Sequence, residues 1–383
     1  MHPGRDARLR AGHTWVYRAE IARIRGDPAD GDAVAVHDAS GRLLGTGFLN
    51  TRSVITVRLL TTADRDLDEP FFRERLERAL ALRRDVVADT TAFRLVFGEG
   101  DRLPGLIVDR YGDTLVLQTL TAGMDRRKEL LVRLLLDLTG ARRVYARNDP
   151  AVRRLEGLAR ETGWLAGGGP AEAAIEEAGA AFLVDVAAGQ KTGFFLDQRE
   201  NRVYAAGLLR GDVLDVFAYT GAWAVHAARC GALVKAVEIS EQAAAMIVRH
   251  AGLNGVGDRC RVVAANAFDE LRRLDRRRER FDAVVLDPPA FVKTRAALER
   301  GLAGYKEINL RALRLLRPGG WLISCSCSYH VSEAALEATV GEAARDAGRW
   351  VRLVERRSQA RDHPVALGVP ETRYLKCLIA EVE

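Results

Sequence analysis

Several things are scarce in this sequence, and each shortage removes a class of protein. Only five of its 383 residues are cysteine, at positions 230, 260, 325, 327 and 377. The number is odd and the spacing wide, so a disulfide-stapled module is not expected, and a reducing cytoplasm is the expected setting. No apolar run approaches the ~18 residues of a membrane span. The opening "MHPGRDARLRAGHTWVY" has no apolar core, so no secretory signal is expected there. Lysine supplies only six of the 58 basic residues, the rest being arginine. Against 52 acidic residues this leaves a net charge of +6, which favours polyanionic partners such as nucleic acid without requiring them. A biased nucleotide composition would produce the same arginine skew. The G-x-G-x-x-G fingerprint of dinucleotide-binding folds is absent, which leaves an NAD oxidoreductase the least favoured enzyme class.

What is present has a clear order. Residues 1–75 form a small β-rich unit, with strands predicted around Ala39-Ser40-Gly41 and over 53–61. Its first 25 residues hold six arginines against one aspartate and one glutamate. A helical period over 69–87 connects to a mixed segment. There "LPGLIVDRYGDTLVLQTL" predicts a hairpin turning at 111–113, residues 125–140 predict an amphipathic helix ending at glycine, 142–149 a strand and 163–174 a loop. From about 185 the rhythm is strand, turn, helix, repeated through "DVLDVFAY", "VKAVEIS", "CRVVAAN", "FDAVVLDPP" and "WLISCSCS". Apolar strands alternating with helices predict an α/β fold with a parallel, doubly wound sheet. Residues near 350–357 and 371–383 close it as a β-pair. The expected organisation is 1–75, 76–185 and 186–383.

Ligands of such sheets bind outside the carboxyl ends of the strands. That rule sets Asp215, Glu238, Asn266, Asp287 and Cys327 along one rim. A single tight turn at Thr220-Gly221 suits a ligand without a pyrophosphate. Glu238, at the next strand end, can accept hydrogen bonds from ribose hydroxyls or be no more than a solvated acid. Together these features favour S-adenosylmethionine over NAD. In "LDPPAF" (286–291) two prolines remove two backbone donors and stiffen the loop, so that Asp287 can meet the edge of a flat nitrogen heterocycle.

Cys325 and Cys327 share a face if their strand persists that far. A C-x-C without a second pair is a poor metal site, and no metal is expected. Cys325, still within the apolar run, suits packing, whereas Cys327 lies nearer the rim. A thiol is a strong nucleophile through its thiolate. Carbon 5 of a pyrimidine is too weak a nucleophile to attack a methyl sulfonium unaided. Thiolate addition at C6 raises electron density at C5, and a carboxylic acid at the N3 edge stabilises the adduct.

The carboxyl-terminal half resembles the class I S-adenosylmethionine-dependent methyltransferases. The whole chain resembles the PUA-domain 23S ribosomal RNA cytosine-5 methyltransferases of the RlmI and RlmO type. The strings that carry this are "GHTWVY" (12–17), "EGDRLPGLIVDRYGD" (99–113), "GQKTGFFLDQRENR" (189–202), "LDVFAYTGAWAVHAA" (214–228), "LDPPAFVK" (286–293), "SCSYH" (326–330) and "DHPV" (362–365). The resemblance implies a PUA RNA-binding β-barrel over 1–75, an α/β linking domain over 76–185 and a Rossmann-like methyltransferase domain over 186–383. It implies a donor pocket for S-adenosylmethionine lined by Gln190, Thr192, Phe194, Asp197 and Arg199. Asp215, Tyr219, Thr220 and Gly221 would hold the methionine end, Glu238 the ribose, and Asn266 would lie by the adenine. Asp287 and Pro288, at the edge of that pocket, would face the target base, with Cys327 as nucleophile and Asp287 as its catalytic partner. Ribosomal RNA of the large subunit, or its precursor, is the implied partner, and a homodimer stays open. The base that removes the C5 proton is not identified. His330 is a weak candidate.

Two rivals remain. Aspartate-proline-proline loops also occur in enzymes that methylate exocyclic amines directly, in which case both cysteines only pack. Alternatively the chain is a non-catalytic RNA-binding assembly factor with a vestigial methyltransferase fold.

Overall fold

The computed structural model describes residues 1–383. The chain forms two compact units. The first comprises Met1–Glu177, Leu183–Leu196 and Arg361–Thr372, the second Ala178–Phe182, Asp197–Ala360 and Arg373–Glu383.

The first unit opens with a short helix, α1 (Ala7–Arg10), and strands β1 (Trp15–Tyr17), β2 (Ala33–His37), β3 (Leu43–Leu49) and β4 (Ile55–Thr61). These make an antiparallel sheet in the order β1-β4-β3-β2. Helix α2 (Glu69–Val86) follows, started by Asp68, whose side chain accepts the Phe71 amide; this is the donor-satisfying N-cap that helix starts require. Strands β5 (Ala92–Phe97), β6 (Leu106–Tyr111) and β7 (Thr114–Thr119) lead through α3 (Ala122–Asp125) and α4 (Lys128–Thr139) to β8 (Arg143–Asn148) and β9 (Glu161–Ala166). They form a second sheet, β5-β6-β7-β8-β9, whose only parallel pair is β7–β8. The predicted hairpin turns where expected, on Gly112 at φ 60°. Phe48 and Leu60 of the first sheet pack into one core with Phe71, Phe72 and Leu76 of α2 and Leu95, Leu106 and Leu117 of the second. Contrary to the expected loop at 163–174, β9 ends at Ala166 and β10 (Glu172–Glu177) begins within it, followed by β11 (Ala180–Asp185). Residues 167–171, with three consecutive glycines, are the loop as expected, while residues 163–166 pair with β8, Trp164 lying edge-on to Tyr145 at 5.0 Å.

The second unit is the doubly wound sheet. Its elements are α5 (Arg199–Ala206), β12 (Asp212–Val216), α6 (Ala222–Arg229), β13 (Leu233–Glu238), α7 (Glu241–Leu253), β14 (Cys260–Ala264), α8 (Ala267–Arg276), β15 (Phe281–Leu286), α9 (Leu298–Leu315), β16 (Leu316–Ser326), α10 (Glu333–Ala347), β17 (Val351–Arg357) and β18 (Lys376–Val382). The order is β14-β13-β12-β15-β16-β18-β17, parallel through β16 and antiparallel on both sides of β18. Successive strand residues face opposite sides, and here both sides are buried. Leu214, Val216, Val284, Leu286 and Leu322 meet α8, α9 and α10, while Val213, Ala236, Val285, Ile323 and Cys325 meet α5, α6 and α7. No helix is long and apolar enough to cross a membrane.

Candidate active site

The carboxyl ends of β12, β13, β15 and β16 bring the rim together. Asp215 is the penultimate residue of β12, Glu238 ends β13, Asp287 follows β15 and Cys327 follows β16. Asp215 is fully buried, and no side chain donates to either of its oxygens; the Ala224 amide is the backbone donor that faces it. Burial above all, with the charges of Asp287 and Glu238 beside it, pushes its carboxyl up to about 8. The nearby Thr220 hydroxyl is buried and unpartnered.

The turn after β12 is held in a costly conformation. Phe217 and Tyr219 have positive φ (65° and 49°), as does Gly221 at 83°, and non-glycine residues there are uncommon. Glu238 is not a solvated acid. It is buried, one oxygen accepting the Tyr219 amide at 2.8 Å and the other the Ser240 amide at 2.9 Å. It therefore fixes the turn while each oxygen retains a lone pair for a ligand. Asn266 caps α8 through its Oδ1, which accepts the Phe268 and Asp269 amides, and its amide nitrogen is the group left for a neighbour.

Asp287 is gripped from the α5–α6 side. Gln198 Nε2 donates to one oxygen at 2.9 Å and Trp223 Nε1 to the other at 3.2 Å. Gln198 is fixed in turn by Asn201 at 2.7 Å, and Asn201 by Arg357 at 3.0 Å. This chain of donors was not foreseen. Gln198 and Trp223 lie inside strings singled out by resemblance, but no spacing rule ties either to an aspartate 64 or more residues away.

The strand β16 ends at Ser326, so the two cysteines part company. Cys325 is wholly buried. A hydrogen bond with Cys377, its partner across β18, and burial hold its thiol well above the ordinary value. Cys327 is half-buried, its Sγ 3.9 Å from the Pro288 carbonyl. Its flanking serines are both bound by Tyr305 of α9, each hydroxyl 2.9 Å from the phenol. The thiol thus lies against the proline loop and not in the core. Tyr329 and His330 beyond it are exposed.

The residues of the 189–199 string divide between the two units. Gln190, Thr192 and Phe194 belong to the first. Gln190 is exposed, while Thr192 is buried, its hydroxyl bonded to Asp109 at 2.5 Å and Tyr111 at 2.8 Å. The Phe194 ring is buried and its amide donates to Tyr111. The visible work of Thr192 and Phe194 is to anchor this segment within its own unit. Asp197 and Arg199 belong to the second unit and are buried there, Asp197 accepting the Tyr374 hydroxyl at 2.7 Å.

A buried carboxylate with no side-chain partner at a strand end asks for a cation with hydrogen-bond donors, and a turn with a single glycine leaves no room for a pyrophosphate clamp. Strand order and rim chemistry together define an S-adenosylmethionine-dependent methyltransferase. Residues 1–62 match the PUA-like domain family and residues 129–378 the S-adenosylmethionine-dependent methyltransferase family. The chain belongs to the family of ribosomal RNA large subunit methyltransferase I. Its relatives of that name include those of Alteromonas mediterranea (39% identical over 100% of this chain and 98% of the relative) and Shewanella amazonensis (40%, the same shares). Among solved structures it is similar to SMU.776 complexed with SAH, with TM-score 0.84 at 20% identity over 98% of this chain and 97% of that one. It is also similar to Trm5b from Pyrococcus abyssi, with TM-score 0.55 at 17% identity over 72% and 74%. Those two likenesses concern the fold alone.

Proposed function

We propose that this protein methylates carbon 5 of a cytidine in 23S ribosomal RNA through a transient bond from Cys327 to carbon 6. The observation that carries this reading is the half-buried Cys327 thiol against the Pro288 carbonyl, next to an aspartate fixed from two sides. The relatives' name supports ribosomal RNA of the large subunit as substrate. Five cysteines without a disulfide suit a cytoplasmic enzyme.

Asp215 and Thr220 bind the methionine end of S-adenosylmethionine, with Tyr219 and Gly221 shaping the turn. Glu238 takes the ribose and the Asn266 amide lies by the adenine. Asp197 and Arg199 complete the donor site. When bound, the donor supplies an electrophilic methyl group. Cys327 adds to C6 as its thiolate, its sulfur pair forming the new bond while the ring electrons move toward C5. Asp287 and Pro288 hold the N3 edge and orient the ring. Loss of the C5 proton after transfer returns the electron pair that expels the thiolate. Residues 1–75 act as the RNA-binding unit, 76–185 as a linking segment and 186–383 as the catalytic unit. The base is taken out of its stack to reach the rim.

The test uses ribosomal RNA from cells lacking the gene, labelled S-adenosylmethionine and nucleoside analysis by mass spectrometry. The wild-type protein is expected to form 5-methylcytidine. Cys327→Ser should lose about three orders of magnitude in rate or more while still binding S-adenosylmethionine. Cys325→Ala should retain most activity. An active Cys327→Ser variant, with the methyl group on an exocyclic amine, would exchange this reading for direct transfer.

A further inference from the structure

Lys376 is one of only six lysines in the chain and is almost wholly buried. It begins β18 directly opposite Ser326, the residue before the proposed nucleophile. Its Nζ donates to the Ser328 carbonyl at 2.7 Å and to the Tyr374 carbonyl at 2.8 Å. The side chain therefore spans the Ser326-Cys327-Ser328 segment, and its nitrogen is tied to the backbone one residue past the thiol. Two carbonyls match the two N–H bonds of a neutral amine and leave its lone pair unassigned. In the ammonium form the third proton has no carbonyl to meet.

We propose that Lys376 is the proton partner of Cys327: its amine takes the thiol proton, and the ammonium so formed holds the thiolate ready for the pyrimidine ring. The S–H bond breaks, the new N–H bond forms, and the sulfur keeps the electron pair. No further reagent is needed. This rests on Cys327 being the nucleophile and deepens that reading by naming what activates it.

The electrostatics agree with the geometry. Burial lowers the Lys376 ammonium to about 8, with Arg373 adding to the fall, while the Cys327 charge and, more weakly, Glu333 of α10 raise it. Such an amine exchanges its proton near neutral pH, as an exposed lysine does not. Tyr305 of α9, bonded to both serines that flank Cys327, and Asp287, next to the Pro288 carbonyl that the thiol touches, also face this segment. Burial raises the Tyr305 phenol, with the Cys327 charge adding to the rise, so it stays protonated and does not compete for the thiol proton. Cys325 stays a thiol as well.

The test is the rate of iodoacetamide alkylation at each cysteine of the full-length protein from pH 5 to 10, read by peptide mass spectrometry. The exposed Cys230 is the internal standard. At pH 7, Lys376→Met should slow alkylation of Cys327 about tenfold, the effect of about one pH unit in the thiol, with Cys230 unmoved. Lys376→Arg keeps a charge that can hold the thiolate but cannot take a proton, so its alkylation at Cys327 should stay within about threefold of wild type while kcat for methyl transfer falls about tenfold. In Lys376→Met, methyl transfer should fall with Cys327 reactivity in kcat, with KM for S-adenosylmethionine unchanged. An unaltered Cys327 profile in Lys376→Met overturns the proposal. If that variant does not fold, Lys376→Arg decides alone, and a wild-type kcat for methyl transfer in it overturns the proposal. The underlying reading fails by a different result, full methylation by Cys327→Ser.

Discussion

At the scale of single residues, Asp215 and Cys327 are opposite solutions to burial. Asp215 is a carboxyl group sealed without a side-chain partner, so it keeps its proton in the fold up to about pH 8. In the unfolded chain the same group ionises near pH 4. Between these values the folded state binds the extra proton, so the stability of the empty protein falls as pH rises from about 4 to about 8. Asp215→Asn cannot ionise. It should be more stable than wild type by about 1–3 kcal/mol at pH 8, with the gap shrinking toward pH 5, as thermal melts without donor would register. The same variant should bind S-adenosylmethionine about tenfold or more weakly, because a charge-assisted bond is lost. Cys327 escapes such burial because its neighbouring serines are engaged by Tyr305. Cys325, two residues earlier, keeps an inert thiol in the core.

At the scale of elements, the turn between β12 and α6 is the critical piece. A methyl group added to Gly221 would lie 2.7 Å from Ile247 Cγ2, on a backbone at φ +83°. Gly221→Ala should therefore cost about 1–3 kcal/mol of stability and weaken donor binding, measurable by denaturant melts and calorimetry. Donor binding that matches wild type would mean that the turn does not shape the site. This element was legible in the sequence as a strand followed by a glycine turn. Continuous apolar runs announced the strands of the second unit, because both faces of a central sheet are buried. The loop expected at 163–174 holds only over 167–171: its first residues become strand by pairing with β8, which no local side-chain pattern marks. The grip on Asp287 was also invisible. Gln198 and Trp223 sit at the starts of two different helices, and their convergence on one carboxylate depends on how α5 and α6 pack on the sheet.

At the scale of the whole molecule, charge is the leading property. A net charge of +6, carried overwhelmingly by arginine, should make ribosomal RNA binding salt-dependent. Affinity is expected to fall by ~100-fold or more between about 50 and 200 mM salt if several phosphates are neutralised. A flat response in a filter-binding titration would argue against RNA as the ligand. The sequence by itself determined the doubly wound sheet, the succession of residues at its strand ends and the choice of a methyl donor over a dinucleotide, because apolar runs, glycine spacing and strand-end chemistry are local properties of the chain. Tertiary structure alone decided which thiol faces the rim, which side chains hold Asp287, that Asp215 is left without a side-chain partner and that Lys376 lies along the nucleophile's backbone. Those outcomes depend on distances between residues far apart in sequence, which only the packing of helices and strands creates.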